Sequence, residues 1–225
     1  MFPRVEVEGS ARERGRQYGE AARDRVHRSV EIYRDVFAHY SGWDWERVRE
    51  EAEKYVAPVA AFQPRYLEEV RGLAEGAGLG ELDVLAINVR TEIMFAAVAR
   101  EHRPAECTSF AVVPSRVSDG ALLIGQNWDW LPHTADTTVI LEVRQDEGPD
   151  FVTVVEAGLL AKVGMNSSGV AVGANALVSA ADVGTPGVPF HVLLRALHDA
   201  DNLADGLTSL GRMERSSSAN YLLAH

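Results

Sequence analysis

Pro104-Ala105-Glu106-Cys107-Thr108-Ser109-Phe110-Ala111-Val112-Val113 is where the character of this sequence changes. Upstream, apolar residues recur every three or four positions. Downstream, they come in short runs rich in β-branched side chains. The first spacing draws an apolar stripe on a helix, and the second suits a pleated strand. Pro104-Ala105-Glu106 reads as a loop, and residues 107–113 as a strand entering a core. The chain therefore divides into a helical segment, residues 1–106, and a sheet-rich segment, residues 107–225.

Outward toward the N-terminus, residues 11–40 carry Tyr18, Ala22, Val26, Val30, Tyr33 and Phe37 at helical spacing. Ser10 and Glu13 have the spacing of a capping box at its start. A second helix follows Trp43, with Asp44 near its beginning. A third runs from about Pro58 or Pro64 to Ala77 and stops at Gly78. A fourth begins after Gly80. Outward toward the C-terminus, residues 121–126, 137–143 and 151–156 read as strands. Residues 158–165 and 170–174 read as a hairpin around Asn166-Ser167-Ser168-Gly169. Helical spacing returns at 188–197 and 203–210, and residues 216–224 read as a last strand. Helices packed on an antiparallel sheet make an α+β layered architecture.

Composition narrows the function classes. The chain has 225 residues, a net charge of -11 and 46% hydrophobic residues, which is enough to bury a sizeable core. The acidic balance argues against nucleic-acid binding, which needs clustered Lys and Arg. Residues 1–106 hold 16 of the 22 basic residues but also 20 of the 33 acidic ones, so they describe solvated helix faces and no basic patch. Arg4, Glu6, Glu8, Arg12 and Glu13 interrupt any apolar leader, and no apolar run reaches the roughly 18 residues of a membrane span. The single cysteine cannot form an intrachain disulfide. A cytoplasmic protein without membrane or nucleic-acid partners is expected.

A thiol at the first position of a core strand has one further chemical option. If the peptide bond between Glu106 and Cys107 were cleaved, Cys107 would gain an α-amino group with an ordinary pKa of about 7.7–8.0. That amine can serve as general base for its own side chain. The thiol can also make the cut, by attacking the Glu106 carbonyl in an N-to-S shift. Against this stands the ordinary reading of a lone cysteine as a small buried apolar residue. Asp129, in Gly125-Gln126-Asn127-Trp128-Asp129-Trp130, is either a carboxylate holding the Cys107 ammonium or thiol in register or a turn residue before Pro132. Trp43, Trp45, Trp128 and Trp130 read as packing anchors, and His191 as a packed residue on an apolar helix face. Gly76 and Gly78 end a helix and make no phosphate loop. Lys162 either touches an anionic substrate group or lies on the surface. No Cys and His spacing suggests a metal site, and no cofactor is called for.

These stretches, in their order, resemble the acyl-coenzyme A:6-aminopenicillanic-acid acyltransferase (isopenicillin N acyltransferase) family of the N-terminal-nucleophile hydrolase superfamily. The matching segments are Glu75-Gly76-Ala77-Gly78, Leu85 to Ile93, Cys107-Thr108-Ser109-Phe110, Asp119-Gly120, Gln126-Asn127-Trp128-Asp129, Glu156-Ala157-Gly158, Lys162 to Ser167, Gly169 to Val172, Asn175-Ala176-Leu177, Gly187-Val188-Pro189, His191 and Leu194-Arg195. The resemblance implies an αββα sandwich and a precursor that cleaves itself before the nucleophile. The N-terminal piece would stay bound as a heterodimer partner. By motif, Cys107 matches the nucleophile, Asp129 the supporting acid, and Asn175 with the backbone N–H near Ala176 part of the oxyanion and substrate site.

The chemistry implied is a thioester acyl-enzyme resolved by an amine or by water. The substrate would be a small amide or an acyl-coenzyme A thioester. Two departures stand out: Glu106 occupies a position where Gly often precedes the nucleophile, and family members run beyond the point matched by His225. The latter implies a C-terminally incomplete sandwich lacking a further Asn, an Arg and some strands. An incomplete, inactive relative with a binding or interaction role is the alternative. A third reading is an unprocessed cysteine hydrolase using His191 or His133 as base.

Overall fold

Arg4-Val5-Glu6-Val7-Glu8 alternates polar and apolar residues, a period that suits a half-buried strand. In the computed structural model, which describes residues 1–97 and 106–225 (the Glu106 side chain excepted), it is one. Strand β1 (Arg4–Gly9) buries Val5 and Val7 and pairs in parallel with β4 (Thr138–Gln145), Val5 opposite Leu141 and Val7 opposite Val143. The nominally helical first segment therefore contributes a strand to the sheet.

Helices α1 (Ala11–Ala21) and α2 (Arg23–Ser41) replace the single helix expected over 11–40. The backbone leaves helical geometry at Ala22 (φ -111°, ψ 17°), yet every residue of the expected stripe is buried. The break lets α1 lie flat on α5 (Pro64–Ala77) while α2 turns toward the sheet. Ser10 stands at the N-cap without a side-chain bond to the helix. Glu13 is instead drawn to Arg16 and Gln17, so the capping box does not form. Asp44 does cap α3 (Trp45–Glu53), accepting from the Arg47 N–H at 2.9 Å. Helix α4 (Val56–Phe62) is separate, with Pro58 in its first turn. Gly78, at φ +72°, ends α5 as expected. The helix expected after Gly80 is two, α6 (Glu81–Asn88) and α7 (Arg90–Ala97).

The sheet-rich segment follows the expected order: β2 (Glu106–Val112), β3 (Leu123–Asp129), β4, β5 (Phe151–Glu156), β6 (Val163–Asn166), β7 (Ala171–Ala176), α8 (Phe190–Leu197), α9 (Leu203–Gly211) and β8 (Ala219–Ala224). Among the described residues, β1-β4-β5-β6-β7-β8 form one sheet, antiparallel except at β1, and β2 and β3 form a separate antiparallel hairpin. The start of the expected loop, Pro104-Ala105, lies outside the described residues, and Glu106 already belongs to β2. The chain is thus a mixed α+β protein with a helical N-terminal region and a mostly antiparallel sheet.

Alternation across the pleat assigns the layers. On β7, Val172 and Ala174 pack against Phe190, Leu194 and Leu197 of α8. Gly173 and Asn175, between and beyond them, face the hairpin, where Gln126 and Ser109 approach. The helices cover one face of the sheet; the hairpin covers the other near β7 and β8. One continuous apolar core joins α2 and α5–α8 to β1, β4 and β5, so the two segments of the chain share it. No helix of the described residues is long and apolar enough to cross a membrane.

Candidate active site

Cys107 is half-buried and lines an open cleft of about 540 Å³ between the hairpin and the end of β7. Ser109, Asn175, Ala176, Leu177 and Asn220 are among the other lining residues. Two sequence candidates, Asn175 and Ala176, therefore stand on the same cleft as the thiol. The Asn175 side chain donates to Ser109 Oγ at 2.9 Å and to Asn220 Oδ1 at 3.3 Å. Its own Oδ1 is buried and has no hydrogen-bond partner among the described residues.

The hairpin is held over β7 by side chain as well as by packing. The Gln126 amide donates to Ala174 O at 2.6 Å and accepts from Ala174 N–H at 2.7 Å. It thus mimics a neighbouring strand for one residue. The register of β2 and β3 sets Cys107 opposite Trp128 and Glu106 opposite Asp129. Directly opposed residues share a face and consecutive ones alternate. Asp129, which is exposed, consequently projects on the face away from Cys107, and its backbone pairs with that of Glu106. Its position adjoins the Glu106–Cys107 peptide bond, and it is not among the cleft-lining residues.

Lys162 is buried, not on the surface, with only 6% of its area exposed. Its Nζ lies 3.0 Å from the centroid of the Trp128 ring and 3.7 Å from Glu156 Oε2. The local sequence explains the burial. Residues 158–162 make no strand. They turn at Gly158 (φ +106°) around buried Asn88, which donates to Gly158 O at 2.8 Å and accepts from the Leu160 N–H at 3.0 Å. The Lys162 backbone is then pinned by its N–H to Thr153 Oγ1 at 2.9 Å and its carbonyl to His198 Nε2 at 3.0 Å.

Behind Lys162 lies a buried polar cluster. Glu156 accepts from Arg90 and from the Tyr33 hydroxyl, each at 2.5 Å. Trp130 Nε1 donates to the Tyr33 oxygen at 2.9 Å, and the Arg90 guanidinium lies 5.0 Å from the Trp130 ring centroid. Burial alone would raise the Glu156 carboxyl; Arg90 and Lys162 outweigh it and hold the carboxyl below the usual carboxylate range. Burial pushes the Lys162 ammonium well below the ordinary lysine range, opposed by Glu156 and by any negative charge on Cys107. Arg90 also donates to His191 Nε2 at 3.0 Å, leaving that imidazole's proton on Nδ1. Burial drives the His191 pKa well down. Neither His191 nor exposed His133 is among the cleft-lining residues.

Two comparisons with known proteins bear on this geometry. The family model for acyl-coenzyme A:6-aminopenicillanic acid acyl-transferase matches residues 116–225. The 40 kDa form of acyl-coenzyme A:6-aminopenicillanic-acid-acyltransferase from Emericella nidulans is 30% identical over 195 residues, covering 85% of this chain and 51% of its own length. The chain is similar to this acyltransferase family over most of its own length. It spans about half the length of that curated relative. The resemblance read from the motifs thus holds along most of the chain.

Proposed function

We propose that this chain is a self-processing cysteine amidohydrolase or acyltransferase of the N-terminal-nucleophile type, with Cys107 as nucleophile and the αββα sandwich as its parent fold. The observation that carries the reading is the shared cleft: the chain's only cysteine is the second residue of hairpin strand β2, with Asn175 and Ala176 lining the same cleft. In the first step, Sγ attacks the Glu106 carbonyl carbon. The C–N bond to Cys107 breaks, the nitrogen takes a proton, and the Glu106 acyl group passes to sulfur as a thioester. Water then releases the Glu106 carboxylate and restores the thiol. Asp129, whose backbone pairs with that of Glu106, would hold the ammonium that appears on the Cys107 nitrogen, and that register supports the assignment.

In turnover the α-amine of Cys107 takes the thiol proton and the thiolate attacks a small amide or an acyl-coenzyme A thioester. The amine or thiol half leaves with that proton. An amine or water resolves the acyl-enzyme. The Ala176 N–H serves as a donor to the oxyanion, a role that contributes about 100- to 1000-fold in rate where it has been dissected, and Asn175 lines the substrate side of the cleft. Residues 1–106 stay attached through the core they share with the sheet. Intact-mass spectrometry tests the first step: fragments 1–106 and 107–225 are expected from the wild type and absent from Cys107→Ala. Identical intact masses would sink self-cleavage. An uncleaved chain that thiol-directed acylating probes also fail to label is what an inactive, binding-only relative predicts.

A further inference from the structure

In the uncleaved chain Cys107 carries an amide, so the base that would serve it after cleavage does not yet exist. The surroundings supply a charge instead. Trp128 is the direct cross-strand neighbour of Cys107 and shares its face of the hairpin. Lys162 Nζ sits against that same ring, 3.0 Å from its centroid. The cluster behind holds two cations, Arg90 and Lys162. Among the described residues, Glu156 is the single carboxylate within ion-pairing distance of either, at 2.5 Å and 3.7 Å. A protonated Lys162 leaves that cluster one positive charge in excess of Glu156, and a buried charge without a counter-charge is costly. A thiolate at Cys107 would restore the balance.

We infer that Lys162, clamped between Glu156 and Trp128, is the counter-ion of the Cys107 thiolate: a positioning residue that keeps a positive charge beside the nucleophile both before and after cleavage. The inference rests on the reading of Cys107 as nucleophile, and goes beyond it in naming what stabilises the ionised sulfur. Trp128 adds a negative ring face that favours the ammonium where it lies. The turn at Gly158 and the bonds from Thr153 and His198 fix the lysine backbone, so the charge is held in place and does not wander.

The test uses the chain's single cysteine and compares alkylation by anionic iodoacetate with neutral iodoacetamide. The chain is acidic overall, at -11, and by itself repels iodoacetate. A cation next to Sγ raises the iodoacetate-to-iodoacetamide rate ratio, and a purely structural lysine does not. Rates are read by intact mass, so cleaved and uncleaved chains are scored separately and compared within one processing state. The wild-type ratio is expected to exceed that of the urea-unfolded chain. Lys162→Met is expected to lower it about tenfold and Lys162→Arg to retain it. An unchanged ratio in folded Lys162→Met overturns the inference. If Lys162→Met does not fold, the wild type decides: equal ratios folded and unfolded overturn it. A ratio that behaves as expected in a chain that never cleaves would sink self-processing and leave the counter-ion standing. A chain that cleaves with a Lys162-independent ratio would do the reverse.

Discussion

Replacing Glu156 by Gln leaves Arg90 and Lys162 buried with no carboxylate between them. Removing one member of a buried charge group typically costs about 3–5 kcal/mol. The expected result is a lower urea midpoint for Glu156→Gln, larger than the loss for exposed pairs such as Arg28–Glu31. Glu92 offers a pH test. It is fully buried, accepts from the Phe190 N–H and Ser217 Oγ at 2.8 Å each, and burial pushes its carboxyl from 4.5 up to about 7. The unfolded chain therefore releases this proton first. The stabilisation is whole below about pH 4.5 and is lost as pH rises to about 7, by up to about 3 kcal/mol. His191 and His198 act oppositely, since burial keeps both neutral and the unfolded imidazoles gain protons below 6.5. The difference between wild type and Glu92→Gln isolates Glu92: the variant should gain on the wild type from pH 5 to pH 8. At this scale the sequence was readable where a residue type implies chemistry. Cys107 was singled out that way, and Asn175 and Ala176 through the family resemblance; the three line one cleft. The burial of Lys162 was not legible, because it comes from the turn around Asn88 and Gly158, and a lone lysine carries no period to reveal that.

Helices α1 and α5 meet along four glycines. A Cβ on Gly15 would collide with the backbone at Glu69, on Gly19 at Leu73, on Gly72 at Arg12, and on Gly76 at Arg16. Backbone cannot step aside as a side chain can, and overpacking commonly costs about 1–3 kcal/mol or more. Gly72→Ala should lower the thermal midpoint clearly, although alanine is the better helix former in isolation. A rise would mean that the helices can separate freely. Gly76 was taken from the sequence as part of a helix end. Gly78 is that end, and Gly76 belongs to this contact. The signal was there as small residues four apart on two helices, a spacing that becomes meaningful only once the helices are known to touch. The same holds for β1: its alternation is visible in Val5 and Val7, but its parallel partner β4 lies more than a hundred residues away in the chain. Helix ends fixed by local geometry, at Asp44 and Gly78, were readable directly.

For the molecule as a whole, the sheet is covered unequally. Helices shield one face throughout, whereas the hairpin shields the other only near β7 and β8. Glu6, Glu142, Arg144 and Val152 line an open surface beyond it. The hairpin's own outer face leaves Phe110 and Leu123 exposed, at 54% and 47%. A two-stranded ribbon is marginal alone, so the β2–β3 hairpin that carries Cys107 depends on its seat on β7. Regions with few buried apolar contacts open at lower free energy than the core. Amides of β2 and β3 should therefore exchange faster than those of β4 and β5 in hydrogen–deuterium exchange. The two Gln126 bonds make the dependence testable. Gln126→Ala would leave the Ala174 N–H and carbonyl without their side-chain partner, a loss of about 1–3 kcal/mol. Exchange in β2 and β3 should then accelerate while β4 and β5 keep their protection. Acceleration spread evenly over both sheets would show instead that the hairpin and the main sheet open as one unit, and that the cleft beside Cys107 is as rigid as the core beneath it.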